Sequence, residues 1–455
     1  MSGRCGKHAI VLGGSMAGLF AARALSDAYD RVTVVDRDTL TGETEPRRGV
    51  PQGRQVHGLL ASGHNIIESL FPGITADMVE AGAHLGDLAG DLRWYVNGVR
   101  LRASRSGVQA LTSSRPFLER HVRERVQALP GVEFLEQRDI RGLRTTPDNS
   151  RVTGAVVARR ADGAEELLEA DLVVDTTGRG SRTPAWLVEL GYPRVEEERQ
   201  PIGLGYTTCH YRLHSDPYGS DTAINIMASP ALPRGALAAK VDGDRTVVTA
   251  YGILGDHPPA DHEGFLAFIK SVAVPDIYLA LQDAEPLQDP VAYRFPVSLR
   301  RHYERMPRFP EGLLVMGDAV CSLNPSYAQG MTVAALETET LRRHLERGTA
   351  PRPLPFLRDV SKDAVDRVWD LMTGGDRAFP GVEGERSAVS RLGQAYVARV
   401  QRAGTRDPQA AAAFLRVIAL LEPAESLMRP SMLLRVLRHS IGRPEKSPVP
   451  ARPAA

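Results

Sequence analysis

The first 36 residues run strand, glycine turn, Ala-rich helix, strand, acid, and that order constrains the fold more than any other feature. His8-Ala-Ile-Val-Leu12 is short, apolar and followed by glycine, which reads as a buried strand. Gly13-Gly-Ser-Met-Ala-Gly18 follows, then a helical stretch over 19–25, then Val32-Thr-Val-Val35 ending on Asp36. The acid lies 23 positions after Gly13, close to the spacing of a dinucleotide-binding βαβ unit.

Each part has a physical job in such a unit. Gly13 permits the tight turn out of the strand, and Gly18 lets the helix approach the sheet closely. Ser15 stands where the middle glycine of GxGxxG is expected; its side chain is small, and its hydroxyl is a possible donor. The N–H groups over Ser15, Met16 and Ala17 open the helix and favour a pyrophosphate. Asp36, with Arg37 beside it, is placed to meet the adenosine ribose. This motif by itself does not separate FAD from NAD.

The 455 residues suggest two to three domains, and 42% apolar with 24% charged residues is ordinary for a globular chain. A net charge of +1 argues against a nucleic-acid partner. Cys5, Cys209 and Cys321 show no CxxC spacing, so neither a disulfide framework nor a metal site is expected. No apolar run approaches the roughly 20 residues of a transmembrane helix, and Gly13 and Gly14 interrupt the first apolar stretch. A bacterial cytoplasmic protein is expected.

Two later segments decide for FAD. Glu311-Gly-Leu-Leu-Val-Met-Gly-Asp-Ala-Val320 reads as a buried strand ending in Gly317-Asp318. Asn324-Pro-Ser-Tyr-Ala-Gln-Gly-Met331 then makes a proline turn at Pro325 and opens a helix at Gly330 and Met331. Ala170-Asp-Leu-Val-Val-Asp-Thr-Thr-Gly-Arg-Gly-Ser-Arg182 is a further strand and glycine turn. As an ordered set these resemble the group A FAD-dependent monooxygenase superfamily, with its aromatic-hydroxylase-like fold, over about residues 8–345. Arg47-x-Gly-Val-Pro-Gln-Gly-Arg54 with His57, Asp175-Thr-Thr-Gly-Arg-Gly-Ser181 and Gly317-Asp-Ala319 look most like its bacterial polyketide-tailoring branch, which includes polyether epoxidases.

The resemblance implies that Asp318 holds ribityl hydroxyls and that the helix start at Gly330 lies near the flavin pyrimidine. It implies that Arg47 and Arg115 reach the FAD ribose and phosphates, a task suited to a forked guanidinium. It implies NAD(P)H as a transient co-substrate, although Thr177 stands where the family's DG aspartate does, and Asp175 lies two residues earlier. No second Rossmann fingerprint is present to hold it.

The fold class expected is α/β: a Rossmann-type, GR2-like FAD-binding domain with an inserted β-sheet substrate domain and a C-terminal helical region. The FAD-binding domain takes residues 1–75, 112–184 and 296–350, and the substrate domain 76–111 and 185–295. Alternating runs in the latter suggest a sheet with one buried face, and Tyr206, Tyr211, Met227 and Tyr251 are candidates to line a lipophilic pocket. Helices are expected over 360–371, 387–400, 408–421 and 431–440, within a helical region 351–446 that shows no chemistry of its own. The stretch Met432-Leu-Leu-Arg-Val-Leu-Arg438 is amphipathic and basic; it is read as a helix packed on the core, with a membrane-surface role as the alternative. Residues 447–455 are Pro- and Ala-rich and expected to be disordered. His57 and His210 read as structural histidines.

The function expected is FAD-dependent monooxygenation, by epoxidation or hydroxylation, of a lipophilic natural product such as a polyketide or terpenoid. No catalytic side chain and no metal ligand is assigned, since the cofactor carries the hard chemistry. The alternative is a non-redox cyclase, Diels–Alderase-like, that keeps FAD as a structural cofactor. A prenyl-chain reductase stays open. A tryptophan-type halogenase does not, because Trp94, Trp186 and Trp369 do not form a Trp-x-Trp-x-Ile segment.

Overall fold

The first apolar run folds as a strand that starts two residues earlier than its pattern. In the computed structural model, which describes residues 4–384 and 388–440, strand β1 (Gly6–Leu12) is buried from His8 onward. It pairs in parallel with β2 (Tyr29–Val35) on one side and β4 (Leu172–Asp175) on the other. Strand β3 (Val132–Leu135) extends the sheet beyond β2, and β10 (Leu313–Val315) extends it beyond β4. The order is β10-β4-β1-β2-β3, all parallel. β4 and β10 are buried throughout, as the strands of a covered parallel sheet must be. Three antiparallel strands, Arg138–Thr145, Val152–Arg159 and Glu165–Glu169, lead from β3 to β4.

Helix α1 (Met16–Ser26) follows β1, and α2 (Ala61–Leu70) and α3 (Arg115–Gln127) come before β3. The apolar face of α1, with Leu19 and Phe20, shares one core with the parallel sheet and with Val333, Ala334 and Leu341 of α6 (Gly330–Leu345). Helix α3 starts on Ser114, whose side chain accepts the Phe117 N–H, with Pro116 in the first turn.

A second, mixed sheet carries β9 (Val291–Arg301), β5 (Glu197–Arg212), β8 (Arg245–Gly252), β7 (Arg234–Val241) and β6 (Ala223–Ile226) as neighbours in that order. Leu92–Val96 pairs in parallel with β6, so chain from ahead of α3 joins this sheet. One face packs on α4 (His262–Lys270) and α5 (Asp276–Leu281) through Phe265, Phe268 and Ile277.

The C-terminal region is helical, with differences from the expected bounds. Instead of one helix over 360–371, α7 (Pro353–Val360) runs through a single π turn at Ser361–Val365 into α8 (Asp366–Asp376). Pro353 and Pro355 read as turn residues, yet both fall in a first helical turn, where no N–H is needed. Helices α9 (Ala388–Gly404), α10 (Pro408–Ile418) and α11 (Pro430–Ser440) complete the chain. Ser387, the expected start of α9, and the expected tail lie outside the described residues. α11 packs through Met432 and Val436 but leaves Leu433, Leu434 and Leu437 exposed, so its seat on the core is a narrow stripe. No helix among the described residues is long and apolar enough to cross a membrane.

Candidate functional site

The glycine turn works by contact. Gly13 has φ +104°, and a Cβ there would meet the Thr176 carbonyl oxygen at 2.7 Å. A Cβ on Gly18 would come within 1.8 Å of the Gly13 carbonyl oxygen, so α1 lies directly on the turn. The Thr176 hydroxyl ties the arrangement together by donating to the Leu12 and Gly13 carbonyls. Ser15 is the N-cap of α1 but makes no side-chain cap, leaving the first-turn N–H groups of Met16, Ala17 and Gly18 without an intrahelical partner.

Asp36 sits at the end of β2, buried, with one oxygen accepting the Gly14 N–H (2.7 Å) and the other the Asp38 N–H (2.8 Å). Burial pushes its carboxyl above the usual range against the pull of Arg47. Arg47 reaches Asp36 and Asp38 at 3.5 and 3.4 Å and forks onto Glu119, with its Nε at 3.0 Å. Arg115 donates to Glu119 at 2.8 Å and to the Ser15 hydroxyl at 3.0 Å, and Ser15 donates to Glu119 at 3.1 Å. Arg123 approaches the same carboxylate at 3.7 Å. Burial raises the Glu119 carboxyl, but Arg115 and Arg47 outweigh it and hold the group below its ordinary value. Glu119 was not singled out from sequence, although it stands one helical turn after Arg115. Arg37 is exposed at the rim of a cleft of about 450 Å³, with Asp38, Arg47, Arg48, Gln137 and Arg160 in its walls.

The three motifs meet. Gly317, at φ +67°, leaves room for Ala17, whose Cβ lies 2.8 Å from where a Gly317 Cβ would stand. Arg115 contacts the Met331 sulfur at 2.7 Å, linking α3 to the first turn of α6. Asp318 lies between Gly178 and Gly330, each 3.9 Å from it when given a Cβ. Its carboxylate accepts no hydrogen bond among the described residues. Burial pushes it up to about 6, while Arg179, Arg115 and Arg301 pull it down. Beyond it, Pro325, Ser326 and Gly330 are exposed, and the helix N-terminus at Gly330 has no side-chain cap.

Asp175 does not replace the missing DG aspartate. It is fully buried, and its oxygens accept the Thr177 N–H and hydroxyl (2.8 and 2.6 Å) and the hydroxyls of Ser181 and Thr183. Thr177 is thereby turned back on its own turn. Arg179, from the same loop, stacks over Phe295 at 5.0 Å and donates to Ser322 at 3.1 Å.

Strand register sorts the pocket candidates. Tyr206 faces Tyr251 on β8 and Tyr293 on β9, so three tyrosines form one cross-strand row. Tyr206 and Tyr293 have ring centroids 5.3 Å apart and lie close enough to Asp318 for its charge to raise their phenols. The Tyr251 ring crosses Gly235, where a Cβ would meet it at 2.3 Å, and its hydroxyl accepts the Ala228 N–H. Tyr211 does not belong with them. It is five positions from Tyr206, hence on the opposite face, buried beside Phe265 and 5.8 Å from the His262 ring. Met227 packs with Trp94 and Phe414 instead.

His57 lies at the edge of this arrangement. Its Nδ1 donates to the Gln55 carbonyl at 2.9 Å, and burial, with the Arg115 charge, pushes it down to about 3. Its neighbour Gly58 faces Ala328. His210 is pushed down to about 4 by burial.

A Rossmann sheet with a glycine turn, an acid at the end of β2, a Gly-Asp segment and an aromatic roof defines a flavoprotein monooxygenase class, and this chain belongs to the group A FAD-dependent monooxygenase superfamily. It is 32% identical to Protein Rv3254 of Mycobacterium tuberculosis over 97% of its length and 96% of that protein's. It is 25% identical to kynurenine 3-monooxygenase of Salinispora arenicola, covering 95% and 93% of the two chains. Among solved structures, a Cytophaga hutchinsonii flavoprotein/dehydrogenase superposes with a TM-score of 0.64 at 13% identity, over 95% of this chain and 98% of that one. The Diels–Alderase PyrE3 superposes with a TM-score of 0.60 at 17% identity, over 91% and 80%. No protein-family profile matches the chain.

Proposed function

We propose that this chain binds FAD along the line from the Arg37–Gln137 cleft to the Gly330 helix start and oxygenates a lipophilic natural product beneath the tyrosine row. The observation that carries this reading is Asp318: a carboxylate with no hydrogen bond among the described residues, held between two glycines and near enough to Tyr206 and Tyr293 for its charge to act on them. Asp318 is half-buried; a charged acceptor drawn partly out of water without a protein donor is completed by a ligand's donors, and ribityl hydroxyls are such donors.

The chain's residues divide the work. Gly13, Ser15 and the free first-turn N–H groups of Met16, Ala17 and Gly18 take the pyrophosphate, with Arg115 beside Ser15. Asp36, Arg37 and Arg47 form the adenosine end. Gly317, Asp318, Pro325, Gly330 and Met331 form the ring end, where the α6 dipole favours negative charge. FAD, when bound, supplies the redox chemistry with oxygen; the protein orients it and keeps the cavity dry. Tyr206, Tyr251 and Tyr293 offer an aromatic surface with polar tips, suited to a polyketide or terpenoid carrying few oxygens. NAD(P)H is the reductant on this reading.

The second reading, a non-redox cyclase that keeps FAD as a structural cofactor, is favoured by Thr177 and Asp175. That pair closes on itself and offers no carboxylate at the DG position. One experiment separates the two. The purified chain is checked for bound flavin and mixed anaerobically with NADH or NADPH, with and without candidate polyketides. Flavin bleaching on the order of 1 per second or faster supports redox chemistry, and re-oxidation in air with product analysis then separates an oxygenase from a reductase. A flavin that neither nicotinamide reduces, even with substrate present, favours the cyclase.

A further inference from the structure

Helix α8 carries two adjacent glycines, Gly374 and Gly375, directly before Asp376. Both lie in the last turn of α8, so it is their surroundings that tell them apart. Around Gly374 there is open space, with nothing within 4 Å of a Cβ. Gly375 differs: a Cβ there would come within 2.3 Å of the Tyr327 hydroxyl. The phenol therefore lies in a notch that only glycine leaves open.

Inside that notch Tyr327 donates to Asp376 Oδ1 at 3.1 Å. Asn324 Nδ2 donates to the same oxygen at 2.9 Å. Asp376 is 1% exposed, and its other oxygen is buried with no partner among the described residues. Asn324 Oδ1 in turn accepts the Ser326 N–H at 3.0 Å and hydroxyl at 2.7 Å, which shapes the Pro325–Tyr327 turn. Ala328 then enters the left-handed region at φ 55°, and Gln329 Nε2 donates to the Ile418 carbonyl at the end of α10. The loop between β10 and α6 thus hangs from the C-terminal helices by three side chains, Asn324, Tyr327 and Gln329, while Pro325, Ser326 and Gly330 stay exposed.

We propose that Gly375 and Asp376 are positioning residues for the flavin-facing loop: one leaves the notch, the other holds Asn324 and Tyr327 in it, and together they aim the N-terminus of α6. The proposal rests on the FAD reading for the loop's purpose, though not for its anchoring. It gives the C-terminal helical region a part in the site.

The glycine pair supplies its own control. Gly375→Ala, Gly374→Ala, Tyr327→Phe, Asp376→Asn and Asp376→Ala are compared with the wild type. Readouts are FAD affinity of the reconstituted holoenzyme and amide hydrogen exchange over residues 322–333 of the full chain stripped of FAD. Gly375→Ala is expected to speed loop exchange and weaken FAD binding by about tenfold, the scale of one hydrogen bond to a charged group. Tyr327→Phe, which leaves α8 untouched, is expected to do the same in part. Gly374→Ala should leave both readouts unchanged. Asp376→Asn, whose carbonyl still accepts, should stay nearer the wild type than Asp376→Ala. Wild-type exchange and FAD affinity in Gly375→Ala, or equal effects from both glycine variants, would overturn the proposal. A wild type that takes up no FAD would sink the FAD reading instead, and loop exchange would still decide the anchoring.

Discussion

Asp36 Oδ2 accepts the backbone N–H of Gly14 at 2.7 Å, tying the acid that ends β2 to the turn that leaves β1. The residue assigned to the cofactor ribose is thus also a brace of the glycine turn. Asp36→Ala removes the acceptor of two backbone N–H groups and one partner of Arg47. We expect a loss of about 3 kcal/mol, given about 1.5–3 kcal/mol for a hydrogen bond to a charged group, together with reduced FAD content. Asp36→Asn, which keeps one carbonyl, should lose less. Urea unfolding and visible flavin absorbance per chain check this; an unchanged urea midpoint in the alanine variant would remove the brace.

Glu119 is the hub on which Arg47, Arg115 and Arg123 converge, with side-chain exposure of 5% or less for all four. Glu119→Ala removes the carboxylate that three buried guanidiniums share; Arg47 keeps Asp36 and Asp38, while Arg115 is left with the neutral Ser15 hydroxyl and the Met331 sulfur, and Arg123 with the Glu43 carbonyl. Breaking a buried ion pair from one side costs about 3–5 kcal/mol, and that range is expected here. Glu119→Gln should fall between it and the wild type, because the amide oxygen still accepts from one arginine. Thermal melts of both variants decide the order.

Asp318 makes FAD affinity pH-dependent on the proposed reading. Its carboxyl sits at about 6 in the structure. Ribityl hydroxyls donate to the ionised form, so binding favours proton release. Affinity should then hold above pH 6 and fall below it, by at most about tenfold per pH unit for one proton. Titrating FAD binding from pH 5 to pH 8 (about the span of the transition) tests this. Asp318→Asn should bind more weakly at neutral pH and show a flat profile; a profile as steep as the wild type's would assign the slope elsewhere.

Glu337 predicts a loss of stability as pH rises from the acidic range to about 8. It is fully buried in α6, accepts the Gly317 N–H, and burial pushes its carboxyl up to about 8. The folded chain holds a proton that the unfolded chain releases near pH ~4.3. The contribution is therefore complete below that value and is lost as pH rises to about 8. Glu337→Gln keeps an acceptor for Gly317 without the proton. Its melting temperature relative to the wild type should climb across that pH window, and a constant difference would show that Glu337 does not carry the slope.

How far the sequence could be read follows from the range of each interaction. The βαβ unit was legible because turn, helix and acid act on neighbours within one short segment, and glycine's freedom at φ +104° is local. The assignment of Tyr206 and Tyr211 to one pocket failed on parity, a signal the sequence did contain, since an odd offset along a strand changes face. Tyr293 needed register: it meets Tyr206 only because β5 and β9, far apart in the chain, pair where they do. α7 was missed because two prolines look like a turn until they are seen in the first turn of a helix.

The sequence by itself determined the fold class, the superfamily and the order of its motifs along the chain, because glycine turns, apolar runs and strand-terminal acids impose their geometry locally. Only the tertiary structure decided that Glu119 gathers three arginines, that Asp175 is taken up by Thr177, Ser181 and Thr183, and that Gly375 makes room for Tyr327. Those relationships are between side chains brought together by packing, and hydrogen bonds and steric exclusion act over a few ångströms of space rather than along the chain.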